Sequence, residues 1–116
     1  MEFSIKSEAP ERLRSACIIV GVYENHSLST AAKQINQASD GYLGDLLRRG
    51  DLDGKTGSTL LLQKIPGVKA ERILLVGLGK EKEFGDKAYR VAITAATKQV
   101  TKTGAADIAN YLPDLD

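Results

Sequence analysis

Between Arg72 and Lys80 the chain reads R-I-L-L-V-G-L-G-K, and no other stretch narrows the choice of fold so far. Ile73, Leu74, Leu75 and Val76 form an unbroken apolar run closed by Gly77 and Gly79. A run this short, apolar on both faces, reads as a strand covered on both sides, in the middle of an α/β sheet. A polar turn follows, then a helical pattern from Asp86, so strand, tight glycine turn and helix form a hub. A glycine turn leading toward a helix N-terminus is where an α/β protein binds anions, which makes Gly77, Gly79 and Lys80 candidate anion contacts.

The remaining elements fall around that hub. Phe3 and Ile5 alternate with polar neighbours, giving a short strand over residues 2 to 7. Ala16 to Tyr23 is a second continuous apolar strand, and Glu24-Asn25-His26 turns the chain. Ser27 or Ser29 can cap a helix whose stripe is Leu28, Ala31, Ala32, Ile35 and Ala38. Ser39-Asp40-Gly41 ends it and caps a shorter helix, with Leu43, Leu46 and Leu47 facing inward. There Arg48 and Arg49 sit at the negative dipole end, before Gly50. After a turn-rich loop, Asp51 to Gly57, a third strand takes in Thr59 to Leu62 and Ile65. Pro66-Gly67 leaves too little chain for a crossover helix, so this strand should pair antiparallel with the hub strand. The two helices between the second and third strands form a connection able to return the chain parallel. A long helix from Asp86 to about Thr103 stops at Gly104, and Asp107 to Leu112 reads as a last strand around Ile108. The fold class is α/β: a three-layer mixed sheet of about five strands with helices on both faces. The chain then stops straight after a strand, at Leu112-Pro113-Asp114-Leu115-Asp116, which reads as a piece of something longer.

With 116 residues the chain suits one domain, not two. A net charge of +1 excludes a polycation built for nucleic acid. No apolar run approaches the roughly 20 residues of a membrane span, and no secretory signal is visible at Met1-Glu2-Phe3-Ser4. A single cysteine, Cys17, cannot form an internal disulfide, and these facts together suit a reducing cytoplasm.

Motifs for chemistry are scarce. Gly77-Leu78-Gly79 is half of a dinucleotide fingerprint, but Lys82 stands where the third glycine belongs. The phosphate-loop pattern fails at Leu74 and Glu81. Asp51-Leu52-Asp53-Gly54 resembles a calcium loop until Lys55, which would repel the ion. His26 is alone in a turn, so it builds no zinc site, and Cys17 inside an apolar strand reads as a core residue. The carboxylate pairs Glu81 and Glu83, and Asp114 and Asp116, lie in polar segments that solvent explains. Arg48, Arg49 and Lys55, and separately Lys80 and Lys82, are candidate contacts for phosphate or DNA, diluted by Asp45, Asp51, Asp53 and Glu81. Residues alone therefore nominate no catalytic, metal-binding or cofactor site.

Taken in order, four stretches carry a likeness: E-F-S-I-K-S, S-A-C-I-I-V-G-V, the loop segment ending G-D-L-D-G-K-T-G, and E-R-I-L-L-V-G-L-G-K. The chain resembles the N-terminal domain of bacterial leucyl aminopeptidases, of the cytosol aminopeptidase or aminopeptidase A type. The most telling pair is the G-x-L-x-G-K-x-G loop followed by the hub strand. The resemblance implies a macro-domain-like module in front of a catalytic domain, within a cytoplasmic hexamer. It implies two divalent metal ions, manganese or zinc, in the catalytic domain, activating water for hydrolysis of peptides at their N-termini. The family's run Asn-Thr-Asp-Ala-Glu-Gly-Arg is nowhere in the chain, so no catalytic or metal role is carried over. The implied partners are the chain's own catalytic domain, other subunits and, as in some bacterial relatives, DNA. A free-standing module that binds an ADP-ribose-type phosphate at Gly77 to Gly79 is the competing expectation.

Overall fold

The computed structural model describes residues 2–4, by backbone, and residues 8–113. Five strands, β1 (Glu2–Ser4), β2 (Cys17–Tyr23), β3 (Thr59–Gln63), β4 (Arg72–Gly79) and β5 (Asp107–Asn110), form one sheet in the order β1-β5-β2-β4-β3. The helices are α1 (Thr30–Ala38), α2 (Tyr42–Arg48) and α3 (Asp86–Thr103). β2, the strand between β5 and β4, runs parallel to both, whereas β3 is antiparallel to β4. Pairing between β3 and β4 is the arrangement the short Pro66-Gly67 link demands.

Both central strands are buried because their side chains serve two cores. Ile18, Val20, Val22, Ile73 and Leu75 pack with Ile35, Leu43 and Leu47 beneath α1 and α2. Cys17, Ile19, Leu74, Val76 and Leu78 pack with Ala92, Ala96, Val100 and Ile108 beneath α3. Period-2 alternation thus fills both faces, which is why these strands read as continuous apolar runs. The result is three layers.

Several expectations are corrected. The glycines do not close the hub strand with a turn: β4 runs through both and ends at Gly79, and a 3-10 turn (Glu81–Glu83) leads on to α3. Glycine ordinarily weakens a strand, but here it makes room for a loop described below. The two helices after β2 do not return the chain parallel. They deliver it to the far edge, where β3 runs opposite to β4 and hence to β2, with β4 between them. Ile65 is buried but lies outside β3, because Lys64 takes φ +45° and bends the chain away. β5 ends at Asn110, whose Oδ1 accepts from the Leu112 amide and turns the backbone. Ser29, not Ser27, caps α1, its Oγ accepting from the Ala32 amide at 3.2 Å. Gly41, at φ +87°, is the N-cap of α2 without a side-chain bond, while Ser39 Oγ bonds back to the Ile35 carbonyl. The expected strand residues 5 to 7 and the acidic pair Asp114 and Asp116 lie outside the described residues.

Candidate functional surface

The loop between α2 and β3 settles across the carboxyl end of β4. Gly50, at φ +82°, stops α2, and Leu52 anchors the segment in the core at 5% exposure. Ser58 Oγ donates to the Lys55 carbonyl and closes the loop on itself. From there the loop clamps the hub. The Gly77 amide donates to the Ser58 carbonyl at 2.7 Å, the Gly57 amide donates to the Gly77 carbonyl at 3.0 Å, and the Gly79 amide donates to the Gly54 carbonyl at 2.8 Å. A Cβ on Gly77 would collide with the Lys55 carbonyl and Ser58 Oγ, and one on Gly54 with the backbone of Tyr23 and Glu24. Glycine is required here because two backbones touch.

This geometry locates the sequence candidates. Gly77 and Gly79 spend their amides on the 54–58 loop, so neither has an N–H left for an anion. Lys80 is exposed just beyond them. Arg48 and Arg49 are exposed at the end of α2, where Arg48 pairs with Asp45 and Arg49 with Asp51 at 3.3 Å. Lys55 is exposed, and its own amide donates to Asp53 Oδ1. The structure brings Lys55 to the glycines through its backbone carbonyl, not through its ammonium group. His26 is exposed at φ +64° in a 3-10 turn (Glu24–His26), and Cys17 is wholly buried. Burial is the main cause that pushes the Cys17 thiol up to about 11, opposed by the Arg72 charge. A thiol held neutral in this way is a packing group, not a nucleophile.

Beside the clamp, at the carboxyl ends of β2 and β5, lies a cleft of about 160 Å³ bordered by Tyr23, Ser29, Lys33, Glu81 and Tyr111. Ser27 Oγ donates to the Glu81 carboxylate at 3.1 Å, and Phe84 stands edge-on to Tyr23 with ring centres 6.0 Å apart. Burial, then the Glu81 charge, raises the Tyr23 phenol; burial, then Glu8 and Glu11, raises that of Tyr111. The cleft is smaller than the roughly 300 Å³ at which ligand pockets begin, and Glu81 opposes a phosphate there. Among the described residues, no three His, Cys, Asp or Glu side chains come together as a metal site, so this part of the chain does not fit a two-metal centre. Among the described residues, too, no helix is long and apolar enough to cross a membrane.

What sequence reasoning missed is the pairing itself: G-x-L-x-G-K-x-G and L-V-G-L-G-K are two halves of one joint. Glycines recurring in both segments were the available signal. Residues 19–116, which hold both halves, match the model of the cytosol aminopeptidase family, N-terminal domain. The chain belongs to that family. This aminopeptidase-family domain is 54% identical over 115 residues to a probable cytosol aminopeptidase of Methylobacillus flagellatus and 51% identical to one of Dechloromonas aromatica. It is 50% identical to the cytosol aminopeptidase of Vibrio cholerae. Each alignment covers 99% of this chain and 23% of the relative, so the chain spans about a quarter of their length. The family domain also has the fold of the macrodomain of Mycobacterium tuberculosis DarG, with a TM-score of 0.72, 12% identity, and coverage of 98% of this chain and 76% of that one. At that identity the likeness concerns fold alone.

Proposed function

We propose that this domain is the non-catalytic support of a metal-dependent leucyl aminopeptidase whose chemistry resides in the other three-quarters of the full-length protein. One observation carries this reading: near-complete coverage of the chain against 23% coverage of relatives named cytosol aminopeptidases. In the full-length enzyme, divalent manganese or zinc in the catalytic domain would activate water for release of N-terminal residues from peptides. The residues described here would fold, pack against that domain and contribute to a cytoplasmic hexamer. Gly77, Gly79 and Lys55 serve the clamp that shapes the domain's upper edge. Arg48 and Arg49, each with a carboxylate partner, offer DNA little unscreened charge.

The test compares the 116-residue chain with the full-length protein on leucine p-nitroanilide, with manganese or zinc supplied. Turnover is expected from the full-length protein only. Hydrolysis that copurifies with the short chain would end the proposal.

A further inference from the structure

The far edge of the sheet is open. Among the described residues β3 pairs with β4 alone, and the register places Leu60 opposite Leu75 and Leu62 opposite Ile73. Hydrogen bonds flank this ladder at the Lys64 amide, donating to the Glu71 carbonyl, and at the Gly77 amide, donating to the Ser58 carbonyl. Ladder bonds in an antiparallel pair recur at every second residue. Ser58, Leu60, Leu62 and Lys64 therefore face β4, and Thr59, Leu61 and Gln63 turn their N–H and C=O groups outward. Among the described residues β4 is the one strand beside β3, so the ladder offers those three amides no acceptor.

A groove of about 550 Å³ runs beside this edge, between β3 and α3, with Gly57, Thr59, Val91 and Ala95 among its walls. Val91 is 43% exposed there. The charged residues in its lining are Arg90 and Lys98, no acid joins them, and neither is ion-paired among the described residues. Eight residues along a helix span about 12 Å, close to the roughly 13 Å between residues i and i+4 of a strand. Unsatisfied backbone groups in a row call for an extended chain; two spaced cations call for carboxylates. A second copy paired across β3 would bring Arg90 and Lys98 of both copies onto one face, like charge toward like.

We infer that the β3 edge and the α3 groove receive, as an added strand, an extended segment of the full-length polypeptide that carries two carboxylates four residues apart. This rests on the reading of the chain as one domain of a longer protein, whose relatives hold about three-quarters of their length outside it. Tethering in the same polypeptide raises the effective concentration of such a segment to about millimolar, enough for a modest strand contact.

Residue-resolved amide exchange on the 116-residue chain and on the full-length protein tests this. Thr59, Leu61 and Gln63 should exchange about a hundredfold slower in the full-length protein, and the Arg90→Glu/Lys98→Glu pair should remove most of that protection. Both side chains are exposed or groove-lining, and an unchanged melting temperature of the short chain confirms that it still folds. On the short chain, the peptide acetyl-Ser-Glu-Val-Thr-Val-Glu-Ser-amide should perturb the same three amides. Its analogue with lysine at both glutamates should bind about tenfold more weakly or worse. An edge equally open in both proteins overturns the inference, as does protection indifferent to charge reversal. Protection of the short chain that grows with its own concentration also overturns it, by naming a second copy as the occupant. Loss of peptidase activity with the protected edge intact would count against the proposed function alone.

Discussion

At Gly77, a methyl group would have to share space with the Lys55 carbonyl and Ser58 Oγ, neither of which can leave without breaking the clamp. Gly77→Ala is therefore expected to cost about 3 kcal/mol, the upper end for overpacking. Gly50→Ala, at φ +82° with open space around it, should cost about 1 to 2 kcal/mol from backbone strain alone. Urea midpoints of both variants measure the difference; equal losses would mean that the joint is soft. Cys17 gives a second prediction. Its thiol stays protonated to about pH 11 in the fold, against an ordinary 9.0. Below pH 9 both states hold the proton. As pH rises from 9 toward 11, only the unfolded thiol loses it, so this group's contribution to stability falls. The stability advantage of the parent chain over Cys17→Ala should shrink by about 1 kcal/mol from pH 8 to pH 10 in urea unfolding. The burial of Cys17 was readable from its apolar neighbours. The clamp around Gly77 was not, because the spacing of glycines in one segment does not reveal which backbone will lie against them.

Elements whose hydrophobic pattern is set locally were readable in the sequence, down to the span of α3 from Asp86 to Thr103. Its start is marked by an acid in the first turn and its stop by Gly104 in the left-handed conformation. Connections between elements were less readable. Two helices separate β2 from β3, and their length permits a parallel return. What decides against it is that β4 needs cover on both sides and takes the slot beside β2. The open edge of β3 likewise follows from assembly, since Leu60, Leu61 and Leu62 alone suggest a strand buried on both faces. Register parity makes a checkable pattern within these five residues. In the isolated chain, amides of Leu60 and Leu62, bonded to β4, should exchange at least about tenfold slower than those of Thr59, Leu61 and Gln63. Uniform exchange along β3 would contradict the register.

For the molecule as a whole, the question is whether two cores on opposite faces of one sheet behave as one. Ile35 belongs to the core under α1 and α2, and Ile108 to the core under α3. They share no cluster, but β2 and β4 supply alternate side chains to both, and neither strand can keep one face packed while the other dissolves. Such sharing couples the cores through rigid backbone, as expected of a single domain this small. Ile35→Ala and Ile108→Ala should therefore each lower stability by about 2 to 5 kcal/mol, the range for truncating a buried isoleucine. Each should shift the urea midpoint without splitting the transition, with helix signal by circular dichroism and tyrosine fluorescence moving together. A variant that loses tyrosine signal first, while α1 and α2 stay folded, would show that the sheet insulates its two faces. The proposed support role would then rest on one face alone, the one carrying α3 and its groove.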